Sequence, residues 1–119
     1  MSNSNKKSKI TIKVGLDENK HPQSIHWSSD DNPSGKKEQE AKAMLISFFD
    51  KEYKDTYKID LWTTEMQVAE MDRFVFQSLR AMAETYFKAT GNQNLANDMR
   101  RFVQYFGEAT EIIPKDNSK

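Results

Sequence analysis

The sequence predicts an α+β fold: a four-stranded antiparallel sheet, in ββββαα order, with two C-terminal helices packed on one face. Three observations lead there. Before Thr63, apolar residues alternate with polar ones in short segments, most clearly Tyr57, Ile59 and Leu61 against Lys58 and Asp60. From Val68 onward they recur at spacings of three and four, so the hydrophobic period changes from 2 to 3.6 within a few residues. The length of 119 residues matches a single domain of ordinary size. We therefore expect a disordered tail over residues 1–9, one domain over 10–113 and a frayed end over 114–119.

The tail offers no apolar surface to offset the entropy of ordering it. The first strand is expected over Ile10–Leu16, with Ile10, Ile12, Val14 and Leu16 sharing a face while Thr11 and Lys13 face out. Residues 17–22 read as a turn. A short second strand over Ser24–Ser28 turns Ile25 and Trp27 inward and His26 the other way. The polar stretch 29–40 is a long connector and the expected site of limited proteolysis, near Lys36 and Lys37. The third strand, Ala41–Asp50, is apolar on both faces and so is the best candidate for the centre of the sheet. Residues 51–55 turn the chain into the fourth strand, Thr56–Trp62.

The first helix is expected from Met66 or Gln67 to Ala89, with Gly91 ending it as a left-handed C-terminal residue. Its polar stripe of Glu70, Arg73, Gln77, Arg80, Glu84 and Lys88 is narrow, which predicts burial on more than one side. Leu61, Val75, Leu79 and Met82 are the expected contacts between sheet and helix. About 23 residues at 1.5 Å each span roughly 35 Å, longer than a typical strand. The second helix opens near Asn92 or Asn94, both good N-caps. Its expected buried stripe is Leu95, Met99, Phe102, Phe106 and Ala109, widened by Val103. Pro114 forbids its continuation.

Composition excludes several function classes. Eighteen basic residues balance eighteen acidic ones, so no global field draws in nucleic acid or an anionic membrane. The short clusters Lys6-Lys7, Lys36-Lys37 and Arg100-Arg101 do not make a nucleic-acid groove. Cysteine is absent, which removes disulfides, thiol catalysis and thiolate metal sites. With no apolar leader or membrane-spanning run, the expected compartment is the cytoplasm, without membrane insertion.

Asp30-Asp31-Asn32-Pro33-Ser34-Gly35 resembles the opening of a calcium loop, but its twelfth position is Ala41, with Glu40 one place early, and its flanks read as strands. His21 and His26 are too few for a zinc site. Asp60 and Glu65 bracket Trp62, yet no second catalytic group converges on them. No catalytic residue, metal ligand or cofactor is therefore expected. What remains is an apolar face: Met44, Ile46 and Phe48 of the third strand, with Trp62 of the fourth if the hairpin registers that way. They are the candidate partner-binding residues, unless a helix edge or the 29–40 loop covers them.

The chain also carries Val14-Gly15-Leu16-Asp17-Glu18-Asn19 ahead of a proline, then Trp27 and Asp60-Leu61-Trp62-Thr63. Met66, Val68, Glu70-Met71, Gln77 and Leu79 follow, with Met82-Ala83-Glu84-Thr85 and Lys88-Ala89-Thr90. Last come Met99-Arg100, Phe102 and Tyr105-Phe106. In order and spacing these resemble the gliding motility-associated protein GldC family of Bacteroidota, over Ile10 to about Phe106. The chain departs from the family pattern at Gln67, where many members have proline, and at Phe87, where many have glutamate. The resemblance implies a small cytoplasmic accessory protein of gliding motility with no catalytic residues to carry over. The leading expectation is a non-enzymatic module that binds other proteins of the motility and secretion apparatus. The alternatives are a chaperone-like homodimer holding an apolar client segment and a small-ligand-binding domain.

Overall fold

The computed structural model describes residues 6–32 and 37–114. The calcium-like and protease-sensitive segment expected within 29–40 lies partly outside them, as do the outer parts of both expected tails. The elements run β1 (Ile10–Leu16), β2 (Pro22–Ser29), β3 (Gln39–Ala41), β4 (Ala43–Phe49), β5 (Thr56–Trp62), α1 (Val68–Thr90) and α2 (Gln93–Ala109). They fall into two compact units, one ending at Met66 and the other beginning at Gln67.

The α+β class and the two C-terminal helices are as expected; a single four-stranded sheet is not. The first unit holds a three-stranded sheet in the order β1-β2-β3 and a two-stranded sheet of β4 and β5. The strand expected over Ala41–Asp50 is broken at Lys42. Before the break it pairs with β2, Ala41 lying opposite Ile25, and after it Ala43 lies opposite Trp62 of β5. A segment that is apolar on both faces reads the same whichever strand lies beside it, so the pattern alone does not reveal the handover.

In the first sheet Val14 lies opposite Ile25 and Ile12 opposite Trp27. Ile25, in the middle strand, is the largest side chain to be fully buried, at 1% exposure. Asp17 shapes the β1–β2 turn, its carboxylate accepting from the backbone N–H groups of Asn19 and His21 at 2.8 and 2.9 Å. These bonds, that from His21 foremost, hold its carboxyl below the usual range. Ahead of β1, Lys9 N–H donates to the Asp30 carboxylate at 3.0 Å, and the Ser8 hydroxyl to Asp31 at 2.5 Å.

In the second unit α1 starts at a capping box. Gln67 and Glu70 each satisfy the other's backbone N–H. Gly91, at φ 72°, ends the helix in the left-handed region, and the Asn92 side chain accepts from Leu95 N–H to start α2. Both caps are as expected. The helices run antiparallel: Phe76, early in α1, approaches Gly107, late in α2, while Glu84 meets Arg100. The buried residues are Phe76 and Ala83 of α1 with Ala96, Val103 and Gly107 of α2, two rows at spacings of seven and four.

The expected helix faces need correction. Met82 is 57% exposed and is not core, and Leu95 and Phe102 are exposed on a side of α2 away from its buried row. Ala83, Ala96 and Gly107 admit close backbone approach beside Phe76 and Val103, so the buried row of α2 is not the stripe its largest side chains suggest.

Arg100 spans the hairpin. Its guanidinium donates twice to the Glu84 carboxylate, both at 2.9 Å, and lies 5.3 Å over the Phe87 ring. The hydrogen bonds from Arg100 hold the Glu84 carboxyl below its ordinary value. A carboxyl depressed by folding adds stability above its unfolded pKa and loses it as pH falls through its folded pKa. The difference in melting temperature between the wild type and Glu84→Gln should therefore be largest at neutral pH. It should shrink toward zero as the carboxylate titrates in acid, and a constant difference across that range would contradict the assignment.

Candidate functional site

The candidate residues lie on the arm formed by β4 and β5. Asp50 builds its turn: the carboxylate accepts from Glu52 and Tyr53 N–H at 3.0 and 2.7 Å, and the Asp50 N–H donates to the Asp55 carbonyl at 2.8 Å. Lys54 closes the loop in the left-handed region at φ 60°. This turn sets the register, with Phe49 opposite Thr56, Phe48 opposite Tyr57, Ile46 opposite Ile59 and Met44 opposite Leu61.

That register divides the four residues singled out from the sequence. Directly opposed residues share a face, so Met44, Ile46 and Phe48 stand with Leu61, Ile59 and Tyr57. Trp62 lies on the other face with Ala43, Leu45 and Phe49. The grouping of Trp62 with the other three is corrected: the turn puts Trp62 one residue out of phase with Met44. The first face consists of three apolar cross-strand pairs. Met44, Ile46 and Leu61 are partly covered, whereas Phe48 (61% exposed), Tyr57 and Ile59 are open. The second face is mixed, with exposed Leu45, Phe49 and Trp62 among Ser47, Thr56, Lys58 and Asp60. The alternation of Tyr57, Ile59 and Leu61 signalled the apolar face, but the pairing that completes it depends on the turn.

Beside Trp62 the first unit has a second feature. His21 and Pro22 come against the stretch from Asp60 to Thr64 and enclose a cleft of about 310 Å³. Thr64 N–H donates to the Pro22 carbonyl at 3.2 Å, and Thr63 N–H to the Lys42 carbonyl at 2.8 Å, which locks the exit of β5 at two points. The Thr63 side chain is buried, and its hydroxyl has no partner among the described residues. Asp60 is committed to Lys58 at 2.5 Å, and that hydrogen bond holds its carboxyl below the usual range. A carboxylate so held is a poor proton acceptor at neutral pH, which weighs against a general base here.

Among the described residues no group of three or more histidines and carboxylates is placed to hold a metal ion, and no helix is long and apolar enough to cross a membrane. Of the stretch that resembles the opening of a calcium loop, Asp30 and Asp31 accept from Lys9 N–H and the Ser8 hydroxyl.

A family model described as gliding motility-associated protein GldC-like matches residues 22–112, well over half of the chain and parts of both units. No curated protein and no solved structure matches the chain significantly.

Proposed function

We propose, because this chain belongs to the GldC-like family of gliding motility-associated proteins, that it is a non-enzymatic accessory protein that acts by binding other proteins of the motility and associated secretion apparatus. The observation carrying this reading is the β4–β5 arm, which presents large apolar side chains on both faces, Phe48 and Tyr57 on one and Phe49 and Trp62 on the other. Proteins rarely leave such surface to water unless something binds it. Aromatic side chains with few charges among them also match the composition of interface centres. We place the protein in the cytoplasm on the same reading.

Because the register puts Phe48 and Trp62 on opposite faces, they are tested separately. Phe48→Ser and Trp62→Ala should each keep the wild-type circular dichroism, since both side chains are mostly exposed. At least one should lose a partner recovered by affinity pull-down from the native cell. If both variants fold and retain every partner, the arm is not the binding surface. A small-ligand-binding domain is the second reading. The cleft at Trp62 favours it, because 310 Å³ is at the lower end of the range for ligand pockets. A metabolite that protects the wild type from thermal unfolding, but not Trp62→Ala, would support that alternative.

A further inference from the structure

The outer edge of β5 is open from Thr56 to Asp60, ahead of the end that His21 and Pro22 come against. Among the described residues β5 pairs only with β4, and Thr56 to Asp60 are exposed. An unpaired strand edge is a template for another chain, and charges placed on it usually guard against that. Here the two charges are equal and opposite, Lys58 and Asp60, on either side of Ile59 and on one face.

We propose that a second copy of this chain adds to the β5 edge, antiparallel and about a two-fold axis at Ile59, joining two arms into one four-stranded sheet. A two-fold axis perpendicular to the sheet sets each residue opposite one on the same face. Centred on Ile59, it pairs Lys58 with Asp60 of the second copy, and Asp60 with Lys58. It also sets Tyr57 opposite Leu61 and Thr56 opposite Trp62. Every cross-strand pair is then an ion pair or a contact involving an apolar or aromatic side chain.

The adjacent symmetric registers are disfavoured. Centred on Asp60 the axis sets two carboxylates against each other, and centred on Lys58 it sets two ammonium groups against each other. Charge thus selects one register on β5. Among the described residues the other edge of β4 pairs with no strand, and from Ala43 to Phe49 it carries no charge and selects no register. Closing the arms together also continues the apolar face of Met44, Ile46, Phe48, Tyr57, Ile59 and Leu61 across the axis. A ladder of this length buries less than the roughly 800 Å² per partner of a standard interface, so the dimer should depend on concentration. This goes beyond the proposed binding role: the pull-down reads the faces of the arm, and the pairing uses its edge.

The test is charge exchange, read by sedimentation and native mass spectrometry. Wild type should dimerise with rising concentration. Lys58→Glu and Asp60→Lys, each self-repelling across the axis, should each bind themselves at least tenfold more weakly. An equimolar mixture of the two should recover a dimer containing one of each. The exposed ion pair within each strand stays broken in that mixture, so recovery must come from contacts between copies. Should either single variant fail to fold, the double swap K58E/D60K preserves the pair within the strand. It should dimerise as wild type does, yet not exchange with wild type. A wild type that stays monomeric or grows into open-ended chains would overturn the proposal. So would single variants that dimerise normally, a mixture that stays monomeric, or a double swap that exchanges freely with wild type.

Discussion

Truncating Ile25 to alanine should lower stability by about 2–5 kcal/mol, the cost of deleting a buried isoleucine side chain that its surroundings only partly refill. Ile25 sits in the middle strand of the first sheet, with Val14 opposite it on one side and Ala41 on the other. At 1% exposure no part of it reaches water. Alanine at position 41 also leaves no large neighbour on that side to swing into the gap. A small domain has about 5–15 kcal/mol to lose, so the change should move the melting temperature by on the order of 10 °C or more. Ile12→Ala is the control: Ile12 lies on the same sheet but is 38% exposed, and it should cost distinctly less. The measurement is the urea midpoint at constant m-value. Equal losses for Ile12 and Ile25 would mean that the middle strand is not the centre of this core.

What could be read in the sequence was what depends on a few consecutive residues. Gly91 and Asn92 were recognisable because a left-handed C-terminal glycine and an asparagine N-cap each act within one helical turn. The alternation in β2 placed Ile25 inward correctly, whereas the face expected to be buried in β1 is largely open, with Ile10, Ile12 and Leu16 all exposed. Three features depended on partners distant in sequence. The handover at Lys42 falls in a segment that is apolar on both faces, so nothing local marks the change of neighbouring strand from β2 to β5. The phase of Trp62 follows from the Asp50 turn, in which one residue more or less would exchange the two faces of β5. The roll of α2 follows from its seam, where Ala96 and Gly107 count for their small size. A reading by hydrophobicity favours Leu95 and Phe102 instead, which are exposed. The candidate site was legible to the same degree: aromatic side chains outside the core were evident, but which face of β4 continues which face of β5 was not.

Gly107→Ala should destabilise the second unit, against the usual expectation for a glycine inside a helix. By propensity alone alanine is worth about 1 kcal/mol over glycine at such a position. Here a Cβ would lie 2.7 Å from Cε1 of Phe76 and 2.6 Å from Cδ1 of Ile113, where carbon atoms prefer about 3.5–4.0 Å. Phe76 is buried, and the Arg80 guanidinium lies 5.3 Å over its ring. Ile113 is held from behind, because its N–H and that of Ile112 both donate to the Gly107 carbonyl, at 3.0 and 2.9 Å, after a left-handed turn at Glu111. Overpacking of this kind costs about 1–3 kcal/mol, which equals or exceeds the propensity gain. The net loss for alanine should thus be up to about 2 kcal/mol, and Gly107→Val, with two more methyl groups to place, should lose more. The double background Phe76→Leu with Ile113→Ala removes the three atoms nearest the added Cβ. There Gly107→Ala should become neutral or stabilising, because only propensity remains, and the change of sign appears as a coupling energy between positions in contact. If alanine stabilises the wild-type chain as well, the close approach of α1, α2 and the Ile113 segment at Gly107 is not what holds this glycine in place.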